Sequence, residues 1–279
     1  MKDKILSIQS KLVYGYVGSN VAELAIQLHG LDVIALPTVY LSAHTGHQPS
    51  HGTRIDKALF DDLVTGVEDL DIINSVAHIV TGYIGAESII DSVVGFISKI
   101  KAKYPDRLYI CDPVMGDDEG LYIADGLADK IITSLLPLCD VMTPNHFEFE
   151  YIVGKKVRTV GEMIETVSIH PVLKDKIIVV TSCNLEDTPE DKIQSVIVCK
   201  GKCHCVITDK VDIVTTGTGD LFTAVTASRL ALGNDIVAAV TAAARVVAHA
   251  LRYTVEHGNE EMNARSILQS IPNSHSLAE

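Results

Sequence analysis

Short apolar runs alternate along this chain with segments of helical period, and that rhythm limits the folds open to it. Lys4–Gln9 reads as a strand, and Tyr14–Gly18 as the loop after it. Val21, Leu24, Ala25 and Leu28 then recur at i, i+3, i+4 and i+7, the spacing of one helix face, with Gly30 as a stop. Asp32–Val39 is the next strand. Val76–Thr81 and Arg107–Cys111 bracket a helix marked by Ile89, Ile90, Val93, Val94, Ile97 and Ile100. Further strands are expected near Val141 and at Lys176–Thr181, and Leu221–Gln269 is helical throughout. Buried strands separated by helices are βαβ units, so the expectation is a mainly parallel sheet covered on both faces. The filling must be aliphatic, because 47% of the 279 residues are hydrophobic but only 5% aromatic, with no Trp. Folded as one unit, a chain of this length hides roughly 75% of its unfolded surface.

Two stretches break the rhythm. Ser42–Thr53 carries His44, His47 and His51 among small polar residues and reads as a flap off the sheet. Cys183–Val214 holds an acidic loop and the run Cys199-Lys-Gly-Lys-Cys203-His204-Cys205. That run is either a metal site or a β-hairpin turning at Lys200–Lys202. In a hairpin, strand alternation puts Cys203 and Cys205 on one face and His204 on the other. Residues 1–271 read as a single domain, with 272–279 as a mobile tail.

The formal charge of −13, with no basic block, disfavours nucleic acid and anionic membranes as partners. If the chain handles phosphates, it needs helix N-termini or bound cations. Its N-terminus enters a strand at once, with no secretory leader pattern, and the expected location is the cytoplasm, where the six Cys stay reduced. The apolar stretch Val237–Leu251 is interrupted by Arg245 and His249 and is too short to span a bilayer.

Four polar clusters fall at strand ends. Thr215–Phe222 reads TTGTGDLF and opens a helix. Its glycines let the backbone approach a phosphate, and the helix N-terminus favours negative charge there. Asp220 could take the proton of an attacking hydroxyl, or could merely cap the helix. Thr143–Glu148 reads TPNHFE, in which Asn145 and Glu148 have the spacing of a capping box. The same pair could hold Mg²⁺ and its waters at the sheet edge, and both readings can be true. In CDPVMGD (111–117) Asp112, a carboxylate before Pro at a strand end, suggests an ion or phosphate site, while Asp117, Asp118 and Glu119 could equally be a solvated acidic loop. Ser10 closes the first strand. In a parallel sheet all four junctions share one edge.

Taken together and in this order, seven stretches resemble the pyridoxal kinases of the ribokinase superfamily. They are SIQSKLVYGYVG (7–18), PTVYLSAHTGH (37–47), TGYIG (81–85), CDPVMGD (111–117), TPNHFEFE (143–150), VVTS (179–182) and GTGDLF (217–222). The resemblance covers residues 3–270, and LRYTVEH (251–257) is similar to the last long helix of the bacterial pyridoxine/pyridoxal/pyridoxamine kinases. It implies a ribokinase-like three-layer α/β/α fold with a small flap. It also implies ATP-dependent phosphorylation of the 5'-hydroxymethyl group of pyridoxal and its B6 relatives. Under that resemblance Asp220 is the catalytic base, and Gly217, Thr218 and Gly219 form the anion hole. Ser10 hydrogen-bonds the pyridine substituents, Val17 and Tyr83 wall the pocket, and Thr45 and His47 lie in the covering flap. Asp112, Thr143, Asn145, Thr181, Ser182 and Gly219 contact the nucleotide phosphates, with Lys210 and Val211 on the adenosine side. Glu148, Tyr122 and Asp117 are cation-site residues. The family uses Mg-ATP, often with K⁺ or Na⁺, and is typically homodimeric. Beside a helix N-terminus Asp220 should have a low pKa, tolerable in a base if the transition state is loose. The flap departs from the family, reading Ser42-Ala43-His44-Thr45-Gly46-His47 where many relatives carry Ser-Asn-His-Thr-x-Tyr.

Two rivals stand beside this reading. A hydroxymethylpyrimidine kinase shares the fold and the reaction, but many such enzymes carry Cys where Asp220 follows the anion hole. A non-catalytic ligand- or metal-binding module would rest on the His- and Cys-rich segments.

Overall fold

The strands, in chain order, are β1 (Lys4–Leu12), β2 (Asp32–Leu41), β3 (Gly52–Arg54), β4 (Val76–Thr81), β5 (Tyr109–Cys111), β6 (Gly116–Asp117), β7 (Gly120–Leu121), β8 (Val141–Met142), β9 (Ile177–Cys183), β10 (Lys192–Cys199) and β11 (Lys202–Asp209). The computed structural model describes residues 2–44, 46–47 and 49–271, so Thr45 and the expected tail 272–279 lie outside the described residues. Nine strands form one sheet in the order β11-β10-β9-β8-β5-β4-β1-β2-β3, and β6 and β7 pair apart from it. From β9 to β2 the pairs are parallel, while β3, β10 and β11 add antiparallel edges.

The α-helices are α1 (Ser19–Leu28), α2 (Lys57–Asp69), α3 (Glu87–Lys103), α4 (Leu127–Lys130), α5 (His146–Val153), α6 (Val160–Ile169), α7 (Thr218–Ala231), α8 (Ile236–Glu256) and α9 (Ala264–Ser270). They divide between the two faces, giving the three expected layers. One core joins Phe60 of α2, Ile90, Val93 and Ile97 of α3, Phe149 of α5 and Met163 of α6 to the sheet residues Leu6, Ile8, Ile178 and Val180. The other joins Val21 and Ile26 of α1, Leu221 and Val225 of α7, Val240 and Ala243 of α8 and Ile267 of α9 to Ile5, Ile110 and Val179. Neighbours such as Ile5 and Leu6 therefore serve opposite faces, as strand alternation requires. Helix α8 is long and apolar enough, by length and composition, to cross a membrane, but here its Val240, Ala243, Val246 and Ala250 are buried against the sheet.

The base of the expected flap is closed by a short strand. Strands β2 and β3 pair antiparallel, with Val39, Tyr40 and Leu41 opposite Arg54, Thr53 and Gly52, and the Ser42 N–H donates to the His51 carbonyl at 2.6 Å. The cysteine run is a hairpin whose turn is shorter than expected. Cys199 pairs with Lys202, leaving Lys200 (φ 50°) and Gly201 (φ 72°) as a two-residue turn of positive φ, the form that matches strand twist. Cys203 and Cys205 share a face with sulfurs 3.8 Å apart.

Candidate active site

The carboxyl ends of β1, β4, β5, β8 and β9 lie along one edge of the sheet, and the start of α7 is brought up to it. Gly217 (φ 83°) is the N-cap of α7. A Cβ there would collide with the Tyr16 carbonyl and press on Val17 Cα, so only glycine lets the loop after β1 lie against this turn. The N–H groups of the first turn, Thr218, Gly219 and Asp220, have no partner within the helix, as at any helix start.

Asp220 Oδ2 accepts the Gly18 N–H at 2.8 Å. Gly18 (φ 59°, ψ −136°) is in turn packed so closely on Ser10 that a Cβ would overlap both its Oγ and its carbonyl. Ser10 and Asp220 are thus held on either side of one glycine. Burial pushes the Asp220 carboxyl above its ordinary range, and the Gly18 N–H pulls it back only in part. This corrects the expectation of a low pKa. Loss of water outweighs the one N–H that the carboxyl accepts.

Asp112 follows β5 and is buried. Its Oδ2 accepts the Thr223 hydroxyl at 3.1 Å, and Thr223 meets the Thr143 hydroxyl at 2.9 Å, which ties α7 to the ends of β5 and β8. Asp112 Oδ2 also lies 3.7 Å from where a Gly219 Cβ would stand. Burial raises the Asp112 pKa well above the carboxylate range, and the charges of Glu148 and Asp220 raise it further. The capping box is real: Glu148 Oε2 accepts from Asn145 N–H at 2.9 Å, and Asn145 Oδ1 accepts from Glu148 N–H at 2.8 Å. Its other oxygen, Oε1, accepts from Met115 N–H at 2.7 Å, and Asn145 Nδ2 donates to the Gly116 carbonyl at 2.8 Å. Burial pushes Glu148 up to about 7 despite these donors. Asn145 also bridges to Thr181, whose N–H donates to the Pro144 carbonyl at 2.8 Å.

Backbone strain gathers at this edge. Val114, a β-branched residue, has φ 34°, and Ser182, at the end of β9, has φ 55°. The Val114 N–H is turned onto the Asp112 carboxylate.

The remaining expected residues stand further out. Tyr122 is 53% exposed, yet local burial of its phenol and then the charges of Glu148, Asp112, Asp220 and Asp117 raise its pKa. Asp117 is exposed and accepts the Glu119 N–H at 2.9 Å within the β6–β7 turn. Lys210 is exposed beyond β11, its N–H donating to the Asp191 carbonyl, and Val211 makes a tight turn to Ile213. Tyr83 is half-buried, and its carbonyl accepts the Thr38 hydroxyl. His47 turns toward Glu261, with Nε2 to Oε1 2.9 Å. Sequence reasoning gave no part to the Gly18 and Met115 N–H groups or to the Thr223 hydroxyl. Of these only Thr223 left a signal, since it lies three residues after Asp220 on the same helix face.

Comparison with known proteins fits this geometry. Residues 27–265 match the family model described as phosphomethylpyrimidine kinase. The chain is 30% identical over 260 residues to the pyridoxal kinase PdxY of Leifsonia xyli subsp. xyli, covering 93% of this chain and 92% of that one. It is 34% identical over 252 residues to the pyridoxine/pyridoxal/pyridoxamine kinase of Bordetella avium, covering 90% and 85%. The structure superposes on the pyridoxal kinase of Leishmania donovani in complex with ADP and pyridoxamine with a TM-score of 0.84 at 30% identity, covering 95% and 91% of the two chains.

Proposed function

Because the chain belongs to the pyridoxal kinases, within the wider family described as phosphomethylpyrimidine kinase, we propose that it transfers the γ-phosphoryl group of ATP to the 5'-hydroxymethyl group of pyridoxal, and of pyridoxine and pyridoxamine, for B6 salvage. The observation that carries this is the placing of Asp220 and Ser10 on either side of Gly18, at the start of a helix whose first N–H groups can receive phosphate oxygens.

Ser10 holds the ring substituents, with Val17 and Tyr83 beside them; of the two flap residues expected to cover the ring, His47 points to Glu261 and Thr45 lies outside the described residues. Gly18 occupies Oδ2 of Asp220 and leaves Oδ1 for the substrate hydroxyl. A carboxylate whose pKa burial has raised is a better base than the free side chain, so it can take the proton as the bond to phosphorus forms. The backbone of Gly217, Thr218 and Gly219 receives the charge on the transferring group. Asp112, Thr143, Asn145, Thr181 and Ser182 face the nucleotide phosphates, with Lys210 and Val211 toward the adenosine.

The carboxylates suit Mg²⁺. Glu148 and Asp220 raise the proton affinity of Asp112, and among the described residues none of the three has a Lys, Arg or His ion-pair partner. Oxygen donors short of positive charge are what a hard dication needs, and Glu148 and Asp112 would hold it, with Asp117 and Tyr122 flanking. When bound, the ion neutralises phosphate charge; a monovalent K⁺ or Na⁺ beside it belongs to the same reading. The proposal further takes residues 1–271 as one kinase domain acting in the cytoplasm as a homodimer.

The test is release of ADP from Mg-ATP against a panel of B6 vitamers and aminopyrimidine alcohols. The highest kcat/KM is expected with a B6 vitamer. The description of the family model favours hydroxymethylpyrimidine as the second substrate class, and a higher kcat/KM with that alcohol would replace the first reading.

A further inference from the structure

His44 Nε2 and His47 Nε2 lie 2.7 and 2.9 Å from one oxygen, Glu261 Oε1. The imidazole rings are 4.3 Å apart and tilted by 54°. All three donor atoms fall within 4.8 Å of one another, the one such cluster of metal-ligating side chains among the described residues. Glu261 lies between α8 and α9, 217 positions from His44. We propose that His44, His47 and Glu261 form a binding site for a transition-metal dication of the Zn²⁺ type, which ties the flap to the segment between α8 and α9.

Two imidazole nitrogens and one carboxylate oxygen are a tetrahedral set with one position open. Imidazole selects Zn²⁺, Co²⁺ or Ni²⁺ over Mg²⁺, so this site and the oxygen cluster around Asp112 take different ions. Among the described residues Glu261 has no ion-pair partner other than these two histidines, so no Lys or Arg competes for its charge. Its side chain is 28% exposed and that of His44 14%. The site opens at His47, whose side chain is 46% exposed, onto a cavity of about 760 Å³ lined by Lys11, Tyr14, Asn20, His47, Asn259 and Glu261. The net charge of −13 also draws cations to the surface.

The hydrogen bonds define the state before binding. Gly46 N–H donates to His44 Nδ1 at 3.1 Å, so His44 carries its ring proton on Nε2 and donates it to Glu261. Ligation through Nε2 moves that proton to Nδ1 and releases the Gly46 N–H, which sits on an exposed turn. Bonds of about 2.0–2.2 Å to the ion need donors roughly 3.3 Å apart, so each imidazole nitrogen must draw back from Glu261 Oε1 by about half an ångström. The inference rests on these donors alone, whatever the substrate.

The experiment is titration of the dialysed, nucleotide-free full chain with Co²⁺, followed by visible absorption, then displacement by Zn²⁺. The expected result is one Co²⁺ per chain with the intense bands of a tetrahedral site, lost on adding Zn²⁺. Glu261→Gln and His44→Asn should each weaken Co²⁺ at least tenfold. His204→Asn, exposed on β11, should leave it unchanged, and thermal melting verifies that all three variants are folded. Undiminished affinity in either ligand variant overturns the proposal. So does a parent protein that shows only the faint bands of an all-oxygen site, or none.

Discussion

The carboxylate of Asp220 accepts the N–H of Gly18 at 2.8 Å across 202 positions of sequence. The bond joins the loop after the first strand to the first turn of α7, so the proposed base and Ser10, the residue proposed to hold the pyridine ring, are placed by one peptide group. Replacing Asp220 with Asn keeps an oxygen for Gly18 but removes the proton acceptor. Turnover should fall by about 10³ or more while nucleotide affinity changes little. Single-turnover kinetics and calorimetric titration with nucleotide separate the two, and near parental turnover would reject the assignment.

Gly18 itself gives the second prediction. Its φ of 59° and ψ of −136° suit glycine, and a Cβ would strike Ser10. Gly30 (φ 77°) has open space around it. Gly18→Ala should therefore cost well over the roughly 1 kcal/mol that positive φ alone costs Gly30→Ala, and should raise KM for the vitamer as Ser10 is displaced. Urea midpoints and KM for the two variants provide the comparison. Equal effects would show that the contact with Ser10 is soft.

Glu148 makes the ion-free protein respond to pH. Its pKa rises from 4.5 unfolded to about 7 in the native state. Between those values the native state keeps a proton that the unfolded chain has lost. Its contribution is therefore fully present below pH 4.5, falls as pH rises toward 7 and is level above it. The size is roughly 3 kcal/mol at most, at 1.36 kcal/mol per unit. The difference in urea midpoint between the parent and Glu148→Gln isolates this group from the others. Without Mg²⁺ the parent should lose ground to the variant between pH 5 and 8, and Mg²⁺ at pH 8 should restore part of it. A difference that grows in the parent's favour over that interval would contradict the assignment.

The layered sheet was legible because its strands are short apolar runs punctuated by glycine, proline and small polar residues. Val76–Thr81 has the bounds expected of it. The capping box at Asn145 and Glu148 was legible too, since capping is local. The flap's second strand was not, because Gly52–Arg54 is three exposed residues with no apolar pattern and is ordered only by pairing with β2. The sign of the Asp220 shift was missed for a related reason. A helix N-terminus is visible in a motif, whereas burial belongs to the assembled fold. The Gly18–Asp220 and Asp112–Thr223 bonds join segments that only the folded chain brings together.

Thr223 provides the last prediction. It is buried, and its hydroxyl lies between Asp112 Oδ2 at 3.1 Å and the Thr143 hydroxyl at 2.9 Å. Valine has the same shape without the hydroxyl, so Thr223→Val should leave the packing intact. It should cost about 1–3 kcal/mol by stripping a donor from a buried carboxylate. The Thr223 bond also pulls the Asp112 pKa down against burial and the charges of Glu148 and Asp220. Without it Asp112 holds its proton to higher pH, and if Asp112 must be ionised to work, the acidic limb of the kcat/KM profile moves up. Thr223→Ser restores the hydroxyl and should return that limb to the parental position. A valine variant that is destabilised but keeps its pH profile would reduce Thr223 to a packing residue, because lost stability alone does not move a pKa.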